Sequence, residues 1–144
     1  MHHVSKSAWR PLAAAVALAL SAGFSGVAFG ADVKVTLAGD QEVPAVKTDA
    51  KGSGTITIGD DMSVKGSVTT TGITATAAHI HTGAAGKNGP VIVPLTKSGD
   101  SGWAVGAGAK LTDDQMKAFK AGDLYVNVHS AANPGGEIRG QLKP

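Results

Sequence analysis

From Ala31 onward the chain is a succession of short runs in which apolar and polar residues alternate, each cut off by glycine or another turn former. Alternation with a period of two puts successive side chains on opposite faces of an extended strand, so each run can bury one face and leave the other polar. Eight runs fit: "VKVTLAG", "GSGTITI", "MSVKGSVTT", "TAAHIHT", "PVIVPLT", "GWAVGAG", "DLYVNVHS" and "GEIRGQL". Turn signals such as "GDDM", "GKNGP" and "NPGG" separate many of them. The pattern predicts an all-β fold, an antiparallel Greek-key β-sandwich of about eight strands. The sequence has no cysteine, so such a domain must be held by its core alone. About 114 residues from Ala31 to Pro144 are enough for that. The same absence excludes blue-copper centres, thiolate zinc sites and cysteine nucleophiles.

One helix interrupts the strands. Thr112 with Gln115 three residues on forms a capping box, Leu111 and Met116 are placed for a hydrophobic staple, and Gly122 stops the segment "DDQMKAFKA". This short helix is expected to connect strands across an end of the sandwich, with Phe119 inward.

The first thirty residues read differently. Lys6 and Arg10 precede the apolar run "PLAAAVALAL", and "VAFG" places Ala28 and Gly30 where a signal peptidase prefers small residues. The expectation is a Sec-type signal peptide over 1–30, cleaved before Ala31, and a domain over 31–144 that is periplasmic or secreted. The run is well short of the ~20 residues needed to span a bilayer, so no membrane span is expected after cleavage. Lys6 and Arg10 belong to the 13 basic residues, whereas all 11 acids lie beyond Ala31, leaving 11 against 11 in the domain. No basic stripe remains to suggest nucleic acid as a partner.

Face parity gathers the reactive chemistry on one side. In "AAHIHT", Ala78 and Ile80 share a face and His79 and His81 the other. In "LYVNVHS", Leu124, Val126 and Val128 oppose Tyr125, Asn127 and His129; in "GEIRGQL", Ile138 and Leu142 oppose Glu137, Arg139 and Gln141. His79, His81 and His129 are the domain's three histidines, and on neighbouring strands about 4.8 Å apart their rings can converge on one ion. Three nitrogen ligands with an open position suit copper, or zinc of the catalytic type, since a closed structural zinc site wants a fourth protein ligand. The plainer alternative has the rings simply hydrogen-bonded to Asn127, Glu137 or Thr82. In the metal reading Glu137 fixes a ring tautomer and Arg139 guides anions beside the site; otherwise the two form an exposed ion pair worth only ~0.2–1 kcal/mol. Imidazole ligates only when neutral, so such a site should release its ion steeply below about pH 6.

Other motifs carry less. "GAAGKNG" lacks the spacing and the following Ser or Thr of a phosphate loop and reads as a turn. Asp60 and Asp61 suit a turn, Asp113 and Asp114 a helix N-terminus, and Trp103 and Phe119 the core. No catalytic residue is assigned.

Three blocks, "LAGDQEVPAVKTDAKG", "AHIHTGAAGKNGPVIVPL" and "LYVNVHSAANPGGEIRGQL", resemble the CHRD domain, named after chordin and also found in exported bacterial proteins. They are more distantly similar to the copper/zinc superoxide dismutase sandwich. That resemblance implies copper ligands at His79, His81 and His129 and an anion-guiding arginine at Arg139. The chain departs from that pattern in lacking a metal-bridging histidine, a zinc cluster after Gly83 and a disulfide. Three functions are compatible: a metal-binding module with copper favoured over zinc, an interaction or matrix module whose polar face docks an envelope or extracellular protein or a glycan without metal, and a weak superoxide dismutase-like redox enzyme.

Overall fold

The computed structural model describes residues 30–144. The expected signal peptide lies outside the described residues except for Gly30, with which the first strand begins. Eight strands follow the eight runs: β1 (Gly30–Ala38), β2 (Lys51–Gly59), β3 (Val64–Thr71), β4 (Ala75–Thr82), β5 (Val91–Ser98), β6 (Gly102–Val105), β7 (Leu124–Ser130) and β8 (Ile138–Leu142). A 3-10 turn (Gly39–Gln41) follows β1, and α1 (Asp113–Lys120), the single α-helix among the described residues, joins β6 to β7. No helix among the described residues is long and apolar enough to cross a membrane.

All neighbouring strands are antiparallel, in the order β1-β2-β3-β6-β5-β4-β7-β8. Strand β3 lies beside β6 rather than β4, and β7 beside β4, which are the long returns of a Greek key. The expected antiparallel Greek-key sandwich is the architecture seen, and its sheet closes into a barrel, β1 meeting β8 through the pair Ala38–Arg139. Closure removes the unpaired edges that two separate sheets would expose.

The core is the inward parity of every strand. Leu37, Ile56, Ile80, Leu124, Val126, Val128, Ile138 and Leu142 have no or almost no exposed surface, each worth about 1.5–3 kcal/mol on burial. Trp103 and Phe119 are buried with them. Thr112 and Gln115 make the reciprocal cap: Gln115 N–H donates to Thr112 Oγ1 at 3.2 Å, and Thr112 N–H to Gln115 Oε1 at 2.9 Å. Gly122, at φ +79°, leaves the helix in a conformation that glycine adopts without strain.

Outward-facing side chains are treated unevenly around the barrel. Along β2 and β3 they alternate cleanly into solvent, whereas β7 is buried on both sides from Leu124 to Val128 and β8 nearly throughout. Segments 39–46, 83–90 and 131–136 make hydrogen bonds to the outward side chains of β4, β7 and β8 or to one another. The face expected to be an open polar surface is thus a covered polar layer.

Candidate metal centre

Strands β4 and β7 pair His79 with Asn127 and His81 with Tyr125, and Ala77 with His129. The small Ala77 leaves room for the diagonal neighbours His79 and His129 to meet. Between Ile80 and His81 the pairing with β5 shifts register, a bulge of the kind that re-aims a side chain beside a site. One ligand atom from each of His79, His81 and His129 lies within 4.8 Å of the others. Nitrogens that share one ion at about 2.0–2.1 Å stand roughly 3.3–3.6 Å apart, so a small closing movement would suffice.

Two rings have their tautomer set by backbone. His81 Nδ1 lies 2.9 Å from the Gly89 carbonyl and His129 Nδ1 2.9 Å from that of Pro134. A carbonyl can only accept, so both Nδ1 atoms carry the proton and both Nε2 atoms are unprotonated acceptors. The His129 Nε2 accepts from His79 Nδ1 at 3.0 Å. The His81 Nε2 is buried without a hydrogen-bond partner among the described residues. His79 and His129 remain partly exposed, whereas His81 is 8% exposed.

Burial, and then the neighbouring rings His129 and His81, hold the His79 pKa below that of free imidazole. His81 is lowered as well, chiefly by burial, against the raising effect of its bond to Gly89. Both rings therefore stay neutral and able to ligate to lower pH than an exposed histidine.

The supporting residues differ in part from expectation. Arg139, expected as an anion guide, is 1% exposed and lies flat over Tyr125, 3.5 Å from the ring centre. Its guanidinium donates to the Ala84 carbonyl at 3.0 Å, Gln141 Oε1 at 3.3 Å and Asn88 Oδ1 at 3.4 Å. Tyr125 in turn stacks on His81, ring centres 4.8 Å apart and planes 6° from parallel. Arginine, tyrosine and histidine thus form one stack that fixes the His81 ring, and the guanidinium faces protein rather than solvent. Glu137, expected to orient a ring, instead accepts from Thr48 Oγ1 at 2.7 Å. Hydrogen bonds from Ser130 and then Thr48 hold its pKa below the usual carboxylate value. Gly89 and Pro134 carbonyls take the orienting role. Asn127, 2% exposed, stands between His79 and Arg139 across the strands, its Nδ2 3.5 Å from the Gly135 carbonyl and its Oδ1 unpartnered.

Sequence reasoning gave no role to Glu42, which is 6% exposed in the loop after β1. Its hint is an acid embedded in "DQEVP", where a purely solvated loop would not be forced to bury it. Gly89 is also essential locally: a Cβ there would run into the Thr82 carbonyl, so only glycine lets this backbone approach β4 and present its carbonyl to His81.

These features occur in a chain whose residues 33–142 match the family model of the CHRD domain. The match spans most of the sequence, and the protein belongs to the CHRD family. Searches of curated proteins and of solved structures give no match.

Proposed function

We propose that the protein is an exported metal-binding module that holds one copper ion between His79, His81 and His129. The observation that carries this reading is the disposition of the ring nitrogens: three within 4.8 Å, with two rings left unprotonated at Nε2 by carbonyls on Nδ1. Carbonyl-anchored rings of this kind are the usual outer support of metal-ligating histidines. His81 and His129 would ligate through Nε2. His79 would ligate through the Nδ1 that now points at His129, its proton moving to Nε2.

An all-imidazole set without thiolate suits copper or zinc, and copper binds more tightly at a given nitrogen site. No carboxylate stands in the group, so a closed four-ligand zinc site has no fourth protein donor there. The partial exposure of His79 and His129 leaves a path for the ion. The docking-module alternative is weakened by the cover over the polar face, where Tyr125, Asn127 and Arg139 are at most 2% exposed. Export rests on the signal-like 1–30 segment, whose removal is checked by the N-terminal sequence of protein recovered from the producing cell.

Copper titration at pH 7.5 of protein freed of metal by chelation tests the site. The expected result is one equivalent bound at micromolar concentration or below, with electron paramagnetic resonance showing coupling to three nitrogens. Failure to bind copper or zinc at micromolar concentration sinks the reading.

A further inference from the structure

A second feature lies beside the histidines and does not depend on their binding a metal. Segments 42–46 and 132–136 flank a cleft of about 290 Å³, at the small end of ligand-binding pockets. Val43, Pro44, Val46, Ala132 and Pro134 contribute apolar surface, and Glu42 is the acid among the residues that line it.

The Glu42 carboxyl is buried, and its Oε1 has no hydrogen-bond partner among the described residues. Asn127 and the Val43 backbone meet the carboxyl. Gly136, at φ +124°, lies against it: a Cβ there would fall 2.5 Å from both Glu42 Oε1 and Asn127 Nδ2. A side chain at 136 would displace the carboxyl or the Asn127 amide, so the backbone passes this close to Glu42 only as glycine.

The charge of this carboxyl is poorly compensated. Burial raises its pKa from 4.5 to about 7, and Arg139, the charged group that acts on it, offsets only part of that. The Arg139 guanidinium is committed to Tyr125 and to the oxygens of Ala84, Asn88 and Gln141. No lysine, arginine or histidine side chain lines the cleft. An acceptor with an unfilled lone pair, beside a cleft lined by apolar side chains together with Asn88 and Asn133 and without a cation, is complementary to a hydrogen-bond-donating cation on an aliphatic stem.

We propose that this cleft binds a primary alkylammonium group, with the ammonium on Glu42 Oε1 and the methylenes against Pro44, Val46 and Pro134. The group can be a free aliphatic amine or a lysine side chain. Either source brings the same chemistry.

Nuclear magnetic resonance titration of chelator-treated protein with n-butylamine, near pH 8, tests this. The expected result is a saturable shift of the Val46, Gly135 and Gly136 amides at millimolar amine, at least about tenfold weaker with uncharged n-butanol or anionic butyrate, which lack the positive charge. Glu42→Gln should abolish the saturable shift. If that variant does not fold, the wild-type carboxyl decides: its titration midpoint should fall when amine is bound, because a nearby cation favours the ionised form. Tighter binding of N-acetyl-lysine-methylamide than of butylamine would assign the source as a lysine of a partner, and the reverse a free amine. Equal binding of butanol, retention of binding by Glu42→Gln, or no saturation by tens of millimolar butylamine overturns the proposal. Because metal is removed throughout, none of these outcomes bears on the copper reading.

Discussion

The wall formed by β2 and β3 and the wall formed by β4, β7 and β8 are built from the same alternating sequence pattern, yet they meet water differently. On β2 and β3, outward threonines, serines and lysines stand in solvent, and a bond such as Thr57 Oγ1 to Asp32 Oδ1 is exposed. On β7 and β8 the outward residues Tyr125, Asn127 and Arg139 are sealed under loops. The polar groups that burial shifts lie on the covered wall or under its loops, whereas Asp61, in the turn between β2 and β3, is lowered by hydrogen bonds from Ser63 rather than by burial. Among the described residues, the orphaned polar atoms of His81 and Asn127 lie on that wall with the two histidines pushed down, and that of Glu42, the carboxyl pushed up to about 7, lies in the loop after β1 that covers it. A sheet face becomes a site when loops lower the dielectric around it, since water otherwise masks the interactions of its polar groups.

The largest effect that tests this contrast is expected at His81. His81→Ala removes the proposed ligand held by both the Gly89 carbonyl and the Tyr125 stack, and on the copper reading should weaken affinity by more than the ~100-fold upper range of an outer-sphere change. Circular dichroism should stay that of a β-fold, because Ile80, Val126 and Val128 form the core from the opposite face. Unchanged affinity in a titration would break the assignment of the covered wall as the metal centre.

Arg139→Lys probes the cover itself. Lysine keeps the charge but loses the planar stack on Tyr125 and the forked bonds to Ala84 and Asn88. Leaving such buried acceptors unmatched costs about 1–3 kcal/mol, measurable by urea unfolding. The same substitution should broaden or shift the His81 ring resonances.

The pH dependence sharpens the comparison by its sign. His79 and His81 have folded pKa values below 6.5, so the unfolded chain binds their protons more readily. Their contribution is fully present above about 6.5 and is lost as pH falls through the lower folded values. Glu42 acts oppositely: its folded pKa of about 7 lies above 4.5, so its contribution is present below about 4.5 and declines as pH rises through 7. Melting temperatures of metal-free protein should therefore fall less steeply on acidification in a His79→Ala variant, and Glu42→Gln should gain more stability at pH 8 than at pH 5.

The smallest effect belongs to the open wall. Thr57→Ala deletes an exposed hydrogen bond to Asp32 and should change unfolding free energy by no more than about 0.5 kcal/mol. A loss as large as that of Arg139→Lys would erase the distinction between the walls.

Much of the fold was legible because alternation is a local signal. The eight runs became eight strands, and the parity that put Ile80, Val126 and Val128 inward put all three histidines on one face. The Thr112–Gln115 cap was equally local. The cover was not legible, because it depends on loops whose path carries no period. Parity put Arg139 and Glu137 on the polar face without saying that segment 83–90 would roof the first or that Thr48 would capture the second. Glu42 was missed for the same reason, lying between a 3-10 turn and Pro44, where neither strand nor helix periodicity applies. Closure of the barrel also escapes a pattern of period two, which gives faces but not the neighbours of the first and last strands.

The seam between β1 and β8 gives the polar layer a place in the order of folding. Ala38 and Arg139, the residues paired there, come from near opposite ends of the described chain, and a contact of such long sequence separation forms slowly. The turn that leaves Ala38 carries Glu42, while Arg139 carries the stack on Tyr125 and His81. A chain still lacking its last strand can bring together β4 and β7, with their three histidines, but lacks the Arg139 guanidinium that lies over Tyr125 and acts on Glu42. Completion of the Arg139–Tyr125–His81 stack therefore requires completion of the barrel, since its outermost member arrives with the last strand.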